Sequence, residues 1–133
     1  MSKKNQFLLW VLSFLFLPVL VSKDSPNFKN ISILADQVTL KKEASEIIFI
    51  NSVNIIIDGM DIKGESALMS LDDEKIEISG APVFIKSSSL DGKADLLIIY
   101  PNQSIDMIGN ATLLNDGNLI SSNLIKYQIT SDG

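Results

Sequence analysis

Apolar and polar residues alternate along most of the chain beyond about residue 30, in short runs that end at turn-forming residues. From Ser104 to Ile120 the alternation is interrupted at Gly109-Asn110, resumes, and then meets Asp116-Gly117. A period of two places apolar side chains on one face of a strand. Isoleucine, the most frequent apolar residue, is β-branched and favours strands, and Asp-Gly pairs suit tight turns. The pattern predicts an all-β domain of short strands. The interruption of the alternation in mid-strand, here at Gly109-Asn110, is called the soft spot.

The soft spot recurs when the sequence is shifted by 29 residues. Gly109-Asn110-Ala111 falls on Gly80-Ala81-Pro82, which falls on Asn51-Ser52-Val53. Apolar residues on both sides superpose as well, in five rows: Ile47, Ile76 and Ile105; Phe49, Ile78 and Met107; Ile55, Phe84 and Leu113; Val38, Ala67, Leu96 and Ile125; Leu40, Met69, Ile98 and Tyr127. One unit of three or four short strands cannot bury its apolar face, so we expect stacked units to bury each other's.

Two interpretations of these rows stay open. The rows either meet across the interior as a dry sandwich core, or line a trough between two curved sheets that splay apart at mid-strand glycines. Both ends of the stack, residues 30–40 and 123–129, have ordinary strand sequence without a proline or a covering helix. Exposed strand edges of this kind predict end-to-end association by added β pairing.

The N-terminus has a different pattern. Residues 7–21 form an apolar run behind Lys3 and Lys4, and no acidic residue precedes Asp24. This layout is typical of a secretory signal and is short for a membrane span. We therefore expect a signal peptide at residues 1–22 and a mature β domain at residues 23–133, with an uncleaved N-terminal anchor as the alternative.

Composition narrows the chemistry. The chain has no cysteine and no histidine, all 11 basic residues are lysine, and the formal net charge is -5. Disulfides, thiolate metal sites and histidine-based catalysis are therefore excluded, and an acidic surface disfavours nucleic acid. The carboxylates of Asp72-Asp73-Glu74 fall in a predicted turn, where acidic residues serve solubility and turn geometry. The sequence predicts neither an enzyme nor a cofactor.

Four segments of the sequence carry a resemblance to a known family. The segments ILADQVTL, KGESALMSL, DGKADLLIIY and GNLISSNLIKY, together with the repeated Gly-Asn break, are similar to the OstA-like domain of the LptA family of lipopolysaccharide transport proteins. The resemblance covers about residues 30 to 130. It implies an elongated, twisted antiparallel β-jelly-roll whose hydrophobic groove shields lipid acyl chains from water.

The same resemblance implies a site, partners and a location. The groove would be lined by residues of the apolar rows: Ile47, Phe49, Ile55, Met69, Ile78, Phe84, Leu96, Ile98, Met107 and Leu113. The expected partners are lipopolysaccharide, through its lipid A acyl chains, an LptC-like protein of the inner membrane, an LptD-like protein of the outer membrane, and further copies of the chain arranged head to tail. The expected location is the periplasm. The alternatives are a membrane-anchored LptC-like component and a structural β-solenoid without lipid cargo.

Overall fold

The structure, a computed structural model, describes residues 30–129 and shows one antiparallel sheet. The expected signal peptide at residues 1–22 lies outside this range. Among the described residues, one 3-10 turn, Lys42–Ala44, interrupts the strands. The strands are β1 (Ile31–Leu34), β2 (Gln37–Lys41), β3 (Glu46–Ile57), β4 (Met60–Ser70), β5 (Lys75–Lys86), β6 (Leu90–Tyr100), β7 (Ser104–Asn115) and β8 (Asn118–Gln128). The predicted all-β class is confirmed.

Strands β3 to β8 form a meander in which each strand pairs with its neighbours in sequence. Strands β1 and β2 both pair with β3, with Ile33 opposite Ile55 and Val38 opposite Phe49. Asp58-Gly59 connects β3 to β4 and Asp116-Gly117 connects β7 to β8, with positive φ at both residues of each pair. This backbone conformation is that of tight hairpin turns, as the sequence predicted.

Every long strand pair shifts register near its middle. The shifts fall at the predicted soft spots, for example between Ile50 and Val53 and between Ile108 and Ala111. Asn51 and Ser52 have φ of 70° and 54°, and Gly109 and Asn110 have φ of 88° and 47°. Such residues form β-bulges, which bend a strand. We call the line of bends across the sheet the seam.

The seam divides the sheet into two halves. Half-sheet A contains β2 and residues 46–50, 66–70, 75–79, 96–100, 104–108 and 124–128. Half-sheet B contains β1 and residues 53–57, 60–63, 83–86, 90–94, 111–115 and 118–122. A unit of the repeat therefore comprises two long bent strands, which amount to four straight segments.

The sheet folds over at the seam so that one face is enclosed. Alternate residues of β3 to β7 are buried in both halves, although the residues that the structure describes include no second sheet and no long helix to cover them. A contact between the halves explains this burial. A Cβ atom on Gly92 in half-sheet B would lie 2.9 Å from Cε of Met107 in half-sheet A. We call the enclosed side the inner face and the opposite side the outer face.

The spacing of 29 residues fails between residues 83 and 100. Strand β5 passes the seam with three residues, Gly80 to Pro82, where β3 uses Asn51 and Ser52. The extra residue moves the following inner positions by one, because a single-residue slip exchanges the two faces of a strand. The residue equivalent to Ile55 is therefore Ile85, since both are opposite Ile62. The predicted row containing Phe84 was wrong by one residue.

Candidate functional site

The inner face of the central strands is a continuous apolar core. Its members have relative exposures of 9% or less, and many have 0% or 1%. The largest fully buried side chains are Ile55, Ile62, Ile76, Ile78, Ile85, Leu97, Ile99, Ile105, Met107, Val53, Val83 and Pro101. In the conformation described, the half-sheets pack against each other as the first of the two interpretations predicted. The inner face is apolar and spans both halves.

The structure brings together most of the residues predicted to line a groove. On the inner face lie Ile47, Phe49, Ile55, Met69, Ile78, Met107 and Leu113. The other three predicted residues are on the outer face: Phe84, Leu96 and Ile98. Phe84 is 51% exposed. Their inner-face neighbours are Ile85, Leu97 and Ile99.

Sequence reasoning missed these inner residues because their surroundings give little alternation. Residues 96–99 read LLII and residues 83–85 read VFI, so every position is apolar and the pattern does not select a face. The charged residue after the second run does select one. Lys86 is exposed and must point outward, which places Ile85 inward and Phe84 outward.

The inner face ends uncovered at both edges of the sheet. Val38 and Leu40 of β2 lie in the same cross-strand rows as Phe49 and Ile47, but are 50% and 66% exposed. At the other edge, Ile120 of β8 is opposite the buried Leu113 and is 44% exposed. Within residues 30–129, no strand pairs with the outer sides of β1, β2 and β8. Both edges therefore present unpaired backbone beside exposed apolar side chains.

The far ends of the two half-sheets line one cavity of about 470 Å³, which we call the mouth. Half-sheet B contributes Asp58, Gly59, Met60 and the loop Ser87–Ser89, whereas half-sheet A contributes Asn102, Tyr127 and Ile129. Met60 is buried at 5% exposure and belongs to the inner core. The mouth is therefore the place where the inner face meets solvent between the two ends.

Hydrogen bonding holds each end together separately. At the end of half-sheet A, Leu71 N donates to Ser45 O and Ile129 N donates to Gln103 O, each at 2.9 Å. At the end of half-sheet B, Asp116 N donates to Ser89 O at 3.3 Å. The contact described between the two half-sheets, that of Met107 with Gly92, is by contrast a side-chain packing contact.

Charged residues lie away from the inner face. Every lysine of residues 30–129 is partly or fully exposed. Several form ion pairs at the surface, among them Lys126 with Asp106 at 3.2 Å and Lys75 with Glu77 at 3.2 Å. The hydrogen bond and the charge of Glu77 raise the pKa of Lys75 above its ordinary value. The inner face therefore offers a guest apolar contact and no charge.

The outer face of half-sheet A has a shallow depression of about 270 Å³. Ile48 and Leu68 lie on one side of it and Leu96 lies on the other. The hydroxyls of Ser66 and Ser79 hydrogen-bond to each other at 3.0 Å in its centre.

The described part of the chain contains no helix long and apolar enough to cross a membrane.

The fold and the enclosed apolar face define a class of protein: an open antiparallel β meander, bent at mid-strand, whose inner face is apolar across residues 30–129. The family model described as "LptA/(LptD N-terminal domain) LPS transport protein" matches residues 32–132. The chain therefore belongs to this lipopolysaccharide transport family, and the predicted family is confirmed.

A solved structure has the same fold. It is the crystal structure of LptH, described as the LptA homologous periplasmic component of the conserved lipopolysaccharide transport device from Pseudomonas aeruginosa. The match has a TM-score of 0.69 and 15% sequence identity, and covers 77% of this chain and 78% of that chain. No curated protein matches the sequence.

Proposed function

We propose that the chain is a periplasmic carrier of lipopolysaccharide that shelters acyl chains between its two half-sheets. The observation that carries this proposal is the continuous apolar inner face, which runs from one edge of the sheet to the other. A lipid with several acyl chains would otherwise expose several hundred Å² to water, at roughly 25 cal/mol per Å². Transport of this kind needs shielding and no chemical step.

The half-sheets must part to admit a guest, and the contacts between them favour such a motion. The ladder hydrogen bonds of β3 to β8 lie within each half, on either side of the seam. Parting the ends would exchange contacts between side chains for contacts between side chains and acyl chains. Because both are apolar, the exchange leaves little free-energy difference.

The edges support transfer between domains. Exposed backbone on β8 of one domain can pair with β1 and β2 of the next, which would join the inner faces into a longer path. We propose head-to-tail copies of the chain, with an LptC-like inner-membrane protein and an LptD-like outer-membrane protein at the two ends. Exposed apolar residues on the edge strands support this arrangement: Leu34, Val38, Leu40, Leu119, Ile120 and Leu124.

Two phenylalanines provide a matched test of lipid binding. Phe49 is on the inner face and 6% exposed, whereas Phe84 is on the outer face and 51% exposed. A photoreactive phenylalanine analogue at position 49 should crosslink to lipopolysaccharide, and the same analogue at position 84 should not. Crosslinking at position 84 alone would contradict a guest on the inner face.

Two other functions have specific support. The packed inner core favours a structural β domain without lipid cargo, which predicts no crosslink from either phenylalanine under conditions in which the chain is folded. The apolar run at residues 7–21, if it is not cleaved, would make the chain a membrane-anchored LptC-like component. The mass of the mature N-terminus separates cleavage near Ser22 from retention of this run.

A further inference from the structure

We propose that the mouth binds the hydroxyl and amide groups of the sugar beside the acyl chains, and leaves the lipid's phosphate groups outside. This inference rests on the proposed carrier function and specifies the part of the lipid that the protein recognises. The mouth lining contains the three hydroxyls of Ser87 to Ser89, the amide of Asn102 and the phenol of Tyr127. Its charged member is a carboxylate, that of Asp58.

The polar groups of the mouth are available for a ligand. Ser88, Ser89 and Asn102 are exposed, and their side chains have no hydrogen-bond partner within residues 30–129. The loop that carries the serines is nevertheless fixed, because Ser87 N donates to Leu90 O at 2.7 Å and Ser89 O accepts from Asp116 N. Hydroxyls and amides both donate and accept hydrogen bonds, as sugar hydroxyls and amide-linked acyl chains require.

The charges near the mouth disfavour phosphate. None of the described residues that line it is basic. Lys86 precedes the serine loop, but it is exposed on the outer face and paired with Asp91 at 3.9 Å. Arginine, the side chain best suited to clamp a phosphate, is absent from the sequence. The carboxylate of Asp58 and the net charge of -5 would repel an anionic group held in the mouth.

Binding of one lipid with and without its phosphates tests the inference. The full chain is titrated with lipopolysaccharide and with the same material after chemical dephosphorylation, at 20 and 200 mM salt. We expect the dephosphorylated lipid to bind at least as tightly, and the phosphorylated lipid to bind about threefold more tightly at the higher salt, because salt screens the repulsion from Asp58. Tighter binding of the phosphorylated lipid that weakens with salt would overturn the inference and leave the carrier function intact. If neither lipid binds, the carrier function itself fails.

Charge variants test whether the salt dependence of lipid binding originates at the mouth. Asp58→Asn should remove most of the salt dependence, and asparagine tolerates the positive φ of 50° at this position. Glu65→Gln, at the exposed seam, changes the net charge equally and should leave the salt dependence as it is. Ser88→Lys should reverse the sign of the salt dependence. An equal response to Asp58→Asn and Glu65→Gln would assign the effect to overall charge and overturn the role of the mouth.

Lys23 and Lys29 precede the described residues and provide the remaining check. The variant with both replaced by serine should bind the phosphorylated lipid at least as tightly as the parent chain. A loss of affinity confined to the phosphorylated lipid would show a phosphate clamp and overturn the inference.

Discussion

Ile78 and Leu40 occupy the same face of the same half-sheet, yet their surroundings are opposite. Ile78 is in β5, has neighbours on both sides, and is 0% exposed, whereas Leu40 is in the edge strand β2 and is 66% exposed. Residue type and face are alike, so position in the stack of strands decides burial. The comparison teaches that the central strands complete their own core and that the edge strands have apolar side chains left for a partner.

Removing a central side chain should have the largest effect on stability. Ile78→Ala creates a cavity in the packed core and should lower the free energy of unfolding by about 3 to 4 kcal/mol. Denaturant unfolding of the purified chain measures this loss. Ile56, which is 45% exposed on the outer face, provides the matched control, and Ile56→Ala should lower stability by less than about 1 kcal/mol. Similar losses for both variants would contradict the division into faces.

Adding a side chain at Gly92, where the two half-sheets are in contact, should have the next largest effect on stability. A Cβ on Gly92 would lie 2.9 Å from Met107 Cε and 2.9 Å from the carbonyl oxygen of Thr112. Gly92→Ala should therefore lower the free energy of unfolding by about 1 to 3 kcal/mol. In a chain that already carries Met107→Ala, Gly92→Ala should lower the free energy of unfolding by less, because the methionine Cε that the new Cβ would contact is absent. Purely additive effects in this double-mutant cycle would contradict contact between the half-sheets at this point.

A smaller effect is expected where the edge strand β8 is held by an ion pair. Lys126 Nζ donates to both carboxylate oxygens of Asp106, at 3.3 and 3.2 Å. Asp106 is 8% exposed, so Lys126→Met leaves a nearly buried carboxylate without this partner. Because the lysine itself is largely exposed, the loss should be only about 1 kcal/mol. Hydrogen exchange should show the increase in opening mainly in β8, whereas a uniform increase through β3 to β7 would be inconsistent with a local role.

The smallest effect on stability should come from the edge residue of the comparison. Leu40→Lys should change the free energy of unfolding by no more than about 0.5 kcal/mol, because the side chain is already exposed. It should nevertheless weaken association between copies, since a charge on an edge strand opposes added β pairing. Sedimentation velocity over a concentration series measures the association, with Lys41→Leu as the converse variant. Unchanged association in both variants would remove β2 from the proposed interface.

Much of the fold follows from the sequence alone. Local sequence determines the Asp-Gly turns at residues 58 and 116 and the breaks near residues 51 and 109. At each of these places the backbone has a positive φ, which Gly, Asn and Asp tolerate. The resemblance to the LptA family added the prediction that the sheet is twisted. These features are local or repeated, so a single sequence specifies them.

The assignment of residues to faces was less predictable. Phe84, Leu96 and Ile98 were expected on the inner face and lie on the outer one, because the seam of β5 contains one additional residue and the following runs are apolar at every position. Whether a strand gains a residue at a bulge depends on its pairing partners, which are distant in sequence. The mouth also could not be predicted, since it joins Ser88 and Tyr127 through the folding of the sheet upon itself.

Pairing between sequence neighbours gives the domain a modular length. Most contacts of β4 to β7 are with the strand before and the strand after, and the two edges do not meet within the described range. Inserting one more hairpin would therefore disturb only the junction where it enters, and each added pair of strands would lengthen the domain by about 10 Å. A chain of this design can be extended in regular steps by duplication, so its span is adjustable without a new fold.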